Sequence, residues 1–179
     1  MLKKIISLAL GLFIFTNSLS FAFAASPSPS TSPSPAPTME KIDTFAMFWP
    51  LTAGKTIESK LYFLKTLKES LRGLLIFGKP QKANYQVFLG TKRVLEANYL
   101  ISQNKKDFAK ATFDKAKDQF DKAVGNLQNQ EIPVNVKAES GDRVNNLKKL
   151  LKYIQNTNPE FKAQIDGLLD SLNKISSKI

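Results

Sequence analysis

Three aspartates on one predicted helix have a spacing that first suggests a metal site. Asp114, Asp118 and Asp121 lie at positions i, i+4 and i+7, which places their carboxylates on one helix face. Calcium, however, takes about six to eight oxygen ligands that converge from several directions, usually from a loop. Lysines alternate with the aspartates, so ion pairs such as Asp118 with Lys122 are the favoured interpretation. We therefore expect no metal and no cofactor at this face.

The chain contains neither histidine nor cysteine, which narrows the chemistry open to it. The usual general base at neutral pH, the thiol nucleophile, the disulfide and the thiolate metal site are all excluded. The phosphate-loop pattern and the G-x-S-x-G motif are also missing from the sequence. This composition favours a protein that is not an enzyme.

The most enzyme-like motif is Glu139 followed by Ser140. It resembles the acid of lysozyme-type lytic transglycosylases, which are also exported, basic and helical. The resemblance implies peptidoglycan cleavage with Glu139 as the acid, which would need a partly apolar cleft that raises its pKa. We favour instead a glutamate near a helix start that Gly141 weakens, because the glycine-rich substrate motif of those enzymes is missing.

Four charged residues on the first two predicted helices have a spacing suited to ion pairs. Lys65 and Glu69 are four residues apart, and Arg93 and Glu96 are three apart. Arg93 and Glu96 also lie beside the apolar stripe of their helix rather than opposite it. We therefore predict that Glu69 or Glu96 pairs with Arg93 or Lys65 across the interface and fixes the register of the helices. An isolated exposed pair would contribute only about 0–1 kcal/mol.

Helices must position these side chains, because apolar residues recur with 3,4 spacing and no segment alternates with period two. Ser59 and Asn104 are the predicted N-caps of the first and third helices. The predicted helices are Lys60 to Phe77, Pro80 to Gln103, Lys105 to Gln128, one that follows Pro133, and one that follows Asn158-Pro159. The sequence thus predicts an all-α fold, an antiparallel helical bundle of four to five helices. A coiled-coil dimer is the less favoured alternative, because no stripe lasts four heptads, and we expect a monomer.

The apolar stripes define the expected core. The first helix carries leucines on one face, and the second carries small residues that let a neighbouring helix approach closely. The third alternates small and large residues so that facing layers interlock. The stripes are Leu64, Leu67, Leu71 and Leu74; Ala83, Val87, Gly90, Val94, Ala97 and Ile101; Ala109, Phe113, Ala116, Phe120, Ala123 and Leu127; Val144, Leu147, Leu151 and Ile154; and Phe161, Ile165, Leu168, Leu172 and Ile175. We predict that all five face the interior.

The N-terminal residues predict export. Lys3 and Lys4 precede the apolar run Ile5–Phe15, and Ala22-Phe-Ala-Ala25 has the small residues that signal peptidase reads. Residues 1–25 are therefore predicted to be a signal peptide, or alternatively an uncleaved N-terminal anchor. Residues 26–37, with the sequence SPSPSTSPSPAP, are predicted to form a disordered linker.

Residues 38–58 lie between the linker and the bundle domain, which we assign to residues 59–179. They contain Phe45–Leu51, the most apolar stretch after the signal, with the only tryptophan of the chain. The favoured interpretation is an apolar strap that covers one end of the bundle. A membrane-interface or partner-binding segment is the alternative.

A longer motif runs through the first two helices. It consists of Leu61-Tyr-Phe-Leu-Lys65 with Glu69, then Lys82-Ala83, then Arg93-Val-Leu-Glu-Ala97. The motif resembles a bacterial family of exported helical domains of unknown function, whose pattern is roughly L-Y-P-L-K-x-x-x-E, then K-A and R-L-x-E-A. Phe63 and Val94 depart from that pattern. The resemblance spans Ser59 to Leu127 and implies export and a helical fold, but no activity, cofactor or site residue.

The leading functional hypothesis is a non-catalytic extracytoplasmic module with a structural or interaction role and an unknown protein partner at the cell surface. The formal net charge of +11 supports an alternative, because much of the excess lies between Lys79 and Lys122. That basic segment would bind anionic lipid or a wall polymer. We expect no nucleic-acid binding, because the chain lacks a dense basic stripe interleaved with aromatic residues. Peptidoglycan cleavage by Glu139 is a distant third.

Overall fold

The computed structural model describes residues 42–179, and within this range the protein is helical and contains no strand. The helices are α1 (Thr44–Phe48), α2 (Tyr62–Leu74), α3 (Lys79–Ser102), α4 (Lys106–Leu127), α5 (Val134–Thr157) and α6 (Lys162–Ser176), with a 3₁₀ turn at Pro159–Phe161. The predicted all-α class is confirmed. The predicted signal or anchor and the linker lie outside the described residues. Within the described range, none of the helices combines the length and the apolarity that a membrane crossing requires.

Four long helices, α3 to α6, form the bundle. The connections between them are short, so helices that follow each other in the chain run antiparallel. Side-chain contacts also place α3 beside α5 in parallel orientation, because Asn84 and Ser140 meet near the start of both helices. The same holds for α4 and α6, where Lys106 and Glu160 pair. Helices that follow each other in the chain are therefore antiparallel, whereas α3 and α5 are parallel to each other, as are α4 and α6.

The bundle core contains the stripes that the sequence predicts for α3 to α6, except that Ile101 is only partly buried, and it also contains Leu95, Leu100, Val136 and Leu150, which lie outside those stripes. Their apolar residues are almost entirely buried and form one cluster with Phe48 and Ile132. Gly90 lies where α3 and α4 approach closely, and a Cβ at this position would be only 2.7 Å from Cδ1 and Cζ of the Phe120 ring. The prediction that small residues of this helix permit a close approach is confirmed at Gly90.

The bounds of α2 and the cap of α4 differ from those that the sequence predicts. α2 spans Tyr62–Leu74 rather than residues 60–77, and its N-cap is Leu61 rather than Ser59. Asn104 does not cap α4; it adopts a φ of 57°, in the left-handed region that asparagine tolerates, and turns the chain between α3 and α4. Gly78 ends the α2–α3 connection with a φ of 85°, which suits glycine.

One side of the Phe45–Leu51 segment packs against the bundle, and its other side is exposed. Asp43 caps the short helix α1 by accepting hydrogen bonds from the backbone N–H groups of Phe45 and Ala46. Phe48 is buried, and the carbonyl of Met47 accepts a hydrogen bond from Asn146 on α5. Phe45 and Trp49 are exposed and pack edge to face at 4.8 Å. The strap therefore has a packed side and a free aromatic side.

Candidate interaction surface

Helix α2 is inverted relative to the prediction from its apolar stripe. Its buried residues are Tyr62 and Glu69, whereas the leucines of the stripe face solvent. We call the exposed set the α2 apolar face; it consists of Leu61, Phe63, Leu64, Leu67, Leu71, Leu74, Leu75 and Phe77, with exposed fractions from 48% to 83%. The prediction that Leu64, Leu67, Leu71 and Leu74 are core residues is wrong. Although the described residues form a continuous apolar core, no residue of α2 belongs to it.

A cluster of charges holds the opposite side of α2 against α3. We call it the charge cluster, and it consists of Lys65, Glu69, Lys92, Arg93 and Glu96. Arg93 donates from Nη1 to both oxygens of Glu96, at 2.8 and 3.0 Å, and from Nη2 to Glu69. Lys65 pairs with Glu96, and Lys92 pairs with Glu69 at 2.7 Å. The predicted ion pairs across this interface are therefore confirmed, and both glutamates take part.

The cluster is buried, which separates it from an ordinary surface ion pair. The side chain of Glu96 has no exposed area, and that of Arg93 is 7% exposed. Burial raises the pKa of Glu96, although Arg93 and Lys65 oppose this effect. Burial also lowers the pKa of Lys65, against the hydrogen bond to Glu96. Since burial disfavours each charge, the mutual pairing must compensate for lost hydration, and the surface value of about 0–1 kcal/mol does not apply.

Two tyrosines complete the contact between α2 and α3. The Tyr62 ring has Arg93 and Lys115 near its face, 5.3 and 5.9 Å from the ring centroid. The Tyr85 hydroxyl donates to the carbonyl of Glu69 at 3.0 Å, and Arg72 lies 5.6 Å from the centre of its ring. Charged and tyrosine side chains thus hold α2 against α3, where apolar side chains usually form such a contact.

A polar cleft of about 370 Å³ opens on the bundle side of α2, between α2, α3 and α4. Its lining includes the cations Lys82, Arg93 and Lys115 as well as the anions Glu69 and Asp118. Of the α2 apolar face, Leu74 alone lines this cleft. The cleft and the apolar face are therefore separate surfaces of the same helix.

Glu139 does not have the environment of a catalytic acid. Its side chain is 56% exposed. A hydrogen bond from Asn84 holds its pKa below the ordinary value, partial burial opposes this, and Arg143 lowers the pKa further. An acid that protonates a glycosidic oxygen needs the opposite shift. The local environment therefore opposes the proposed role of Glu139.

Asn84 ties the start of α3 to the start of α5. It donates to Glu139 at 2.9 Å and accepts hydrogen bonds from Ser140 and Arg143 at 3.0 and 3.1 Å. We expect Asn84→Ala to lower the free energy of unfolding by about 1–2 kcal/mol, because the buried Ser140 hydroxyl loses this bond. Denaturant titration measures the loss. Glu139→Gln is the control and should stay within about 0.5 kcal/mol of wild type; an equal loss in both variants would contradict this account.

Two of the three aspartates that the sequence places on one face of α4 form ion pairs with lysines of the same helix. Asp118 accepts from Lys122 at 2.6 Å, as the sequence predicts. Asp121 pairs with Lys117 at 2.6 Å and accepts a hydrogen bond from Ser171. Across residues 42–179, no group of three or more potential ligands is arranged to hold a metal ion.

Comparison with known proteins finds a match to one protein family, whose function is unknown. The family profile spans α2, α3 and α4 and extends to the end of α5, and it includes every member of the charge cluster. No curated protein and no solved structure matches the chain. The profile covers more than half of the sequence, at residues 54–158, and the chain therefore belongs to the family described as Domain of unknown function (DUF5667).

Proposed function

We propose that the protein is a non-catalytic interaction module of bacterial origin that works outside the cytoplasm and docks to the cell surface through the α2 apolar face. The observation that carries the proposal is the inverted orientation of α2. Burying four leucines would be the ordinary use of such a helix. Here the charge cluster holds the helix with those leucines turned outward.

The extent of the α2 apolar face supports a binding role. It comprises eight large apolar side chains, each about half exposed or more. At roughly 100 Å² of apolar side-chain area per residue, they present on the order of 500 Å² to water. Monomeric proteins rarely expose a contiguous apolar patch larger than a few hundred Å², and larger patches mark interaction sites. The face is therefore larger than an incidental surface feature.

The N-terminal sequence supports the extracytoplasmic location. Lys3 and Lys4, the apolar run Ile5–Phe15 and the Ser/Pro-rich residues 26–37 have the order of an export signal followed by a spacer. A domain joined to such a spacer would meet cell-surface components rather than cytoplasmic ones.

A second candidate function, binding of a polyanion by the segment from Lys79 to Lys122, receives less support. Several cations of this segment are already engaged by carboxylates. Lys92 pairs with Glu69, Lys117 with Asp121 and Lys122 with Asp118. Pairing reduces the positive charge that α3 and α4 can offer to a wall polymer.

The proposal predicts that Leu67→Ser/Leu71→Ser abolishes docking while leaving the fold intact. Both leucines are about half exposed, so replacing them removes apolar contact area without opening a cavity in the core. We expect binding of the added full-length chain to intact cells to weaken at least tenfold, since each lost contact contributes roughly 1 kcal/mol or more. Quantitative binding of fluorescent protein to cells measures the change.

The matched control for this experiment is Val134→Ser, which removes an exposed apolar side chain outside the α2 apolar face. It should bind like wild type. If the leucine double variant bound cells as strongly as the control, with an unchanged melting temperature, docking through this face would be disproved.

A further inference from the structure

The α2 apolar face carries a charge pattern that selects its occupant. We propose that the face binds an anionic lipid membrane, with α2 lying flat in the headgroup region and its leucines and phenylalanines directed toward the acyl chains. This inference rests on the proposed docking function and names the surface to which the module binds.

The first argument is the sign of the charges around the face. Between residues 54 and 79 the exposed cations are Lys55, Lys60, Lys68, Arg72 and Lys79. The one exposed acid in this range, Glu58, pairs with Lys105 at 2.6 Å. A basic rim around an apolar face is complementary to anionic headgroups above acyl chains.

The second argument is the position of Lys68 within the face. On a helical projection Lys68 lies next to Leu64 and Leu71, which are four and three residues from it. A lysine in this place can lay its methylene stem along an apolar environment and direct its ammonium group to a phosphate. A tightly packed protein interface would have to bury or pair the same charge.

The third argument weighs against a second copy of the chain. In a symmetric dimer through α2, the same basic rim would face itself, so that Lys60 and Lys68 of both copies would approach one another. Like charges placed opposite each other across an interface oppose association. The same rim is favourable against a negatively charged surface.

The fourth argument is that α2 needs no rearrangement to bind. The charge cluster already holds the polar side of the helix on α3, and the apolar side already faces outward. The helix spans about 20 Å at 1.5 Å per residue, so its whole apolar side can enter the interface together. Many amphipathic helices must fold as they meet the membrane, whereas this one is preorganised.

The absence of cysteine permits a local test in the full-length chain. A single cysteine at Leu67→Cys, or as control at Asn173→Cys on α6, carries an environment-sensitive fluorophore. Asn173 is exposed on a helix that packs against α4 and α5. Because both proteins keep the same N-terminal apolar run, any membrane binding by that run is common to the two measurements. The vesicles are phosphatidylcholine alone, or phosphatidylcholine with about one third phosphatidylglycerol.

The expected result is a blue shift of the label at position 67 with anionic vesicles, a smaller shift with neutral vesicles, and no shift at position 173. Lys60→Gln/Lys68→Gln/Lys79→Gln should weaken anionic vesicle binding on the order of 100-fold, because each surface cation contributes roughly tenfold or somewhat less. Lys137→Gln/Lys149→Gln/Lys178→Gln removes equal charge from exposed positions elsewhere and should have a clearly smaller effect.

Two outcomes would overturn the inference. A label at position 67 that stays in water with both kinds of vesicle would exclude the membrane as the occupant. A concentration-dependent shift without vesicles would identify a second copy instead. Either result leaves the docking function separately testable, because loss of cell binding in Leu67→Ser/Leu71→Ser would then indicate a protein partner, whereas retained cell binding would reject the docking surface itself.

Discussion

Arg93→Met is expected to destabilise the protein by about 3 kcal/mol. The guanidinium donates to both buried glutamates, and its removal leaves Glu96 and Glu69 with one lysine each. Removing one partner of a buried ion pair typically costs about 3–5 kcal/mol, and the remaining lysines should keep the loss near the lower end. Denaturant unfolding monitored by circular dichroism measures it.

The loss in Arg93→Met should also depend on pH. Burial raises the pKa of Glu96 above its ordinary value of 4.5, and Arg93 acts in the opposite direction. Without Arg93 the folded-state pKa rises further, so at a pH between the unfolded and the folded pKa the folded variant binds a proton that the unfolded chain has released. A raised pKa contributes stability that is present in acid and is lost as the pH rises through the folded value. The difference in stability from wild type should therefore be smaller below the ordinary glutamate pKa of 4.5 than at neutral pH.

Glu96→Gln provides the matched test of coupling within the cluster. In Arg93→Met/Glu96→Gln the loss should be smaller than the sum of the two single losses by about 1–3 kcal/mol, because the same contact is removed in each. Strict additivity, or an Arg93→Met protein as stable as wild type, would contradict the role assigned to the charge cluster.

Gly90→Ala is expected to destabilise the protein by about 1–3 kcal/mol. The added Cβ would overlap the ring of Phe120, which is fully buried, so the ring or the helix would have to shift. Overpacking of a close helix contact costs this much even though alanine favours a helix over glycine by about 1 kcal/mol. Thermal unfolding should show a melting temperature lower by roughly 3–10 °C.

Gly125→Ala on α4 is the matched control, because nothing lies within 4 Å of the position of its Cβ. It should be neutral or stabilise the protein by up to about 1 kcal/mol through helix propensity. The two alanine substitutions should thus have opposite signs. Stabilisation by both would show that α3 and α4 can separate without cost at Gly90.

The bundle could be predicted because, from α3 to α6, apolar residues recur with helical spacing and the helix-breaking residues fall between these segments. In α4, the alternation from Ala109 to Leu127 leaves one face for the core, and polar residues fill the others. Gly78 and Pro133 separate the segments, and each directly precedes the first residue of a helix, α3 and α5. Asn104 was misassigned because asparagine serves both as an N-cap and in the left-handed region, and the residue type alone does not distinguish the two.

The orientation of α2 could not be predicted from period alone. Helical period tells which residues share a face, but not whether that face meets the core or the solvent. One sequence signal did point to the answer. Lys65 and Glu69 lie on the side of the helix opposite Leu67 and Leu71, so ion pairs with α3 and burial of the leucines against α3 exclude each other. The two predictions were incompatible, and the one based on charge was correct.

Because α2 is attached through its charged side, we expect the domain to open in two steps, α2 first and the bundle of α3 to α6 at higher free energy. Because α2 contributes no residue to the apolar core cluster, we expect that it can leave α3 while the bundle stays closed, at the cost of the charge cluster and of the contacts that Tyr62 and Tyr85 make. A unit of this kind opens at lower free energy than the whole domain, and its amides exchange before those of the core. The helix that carries the α2 apolar face is therefore an element that the protein can release without unfolding its bundle.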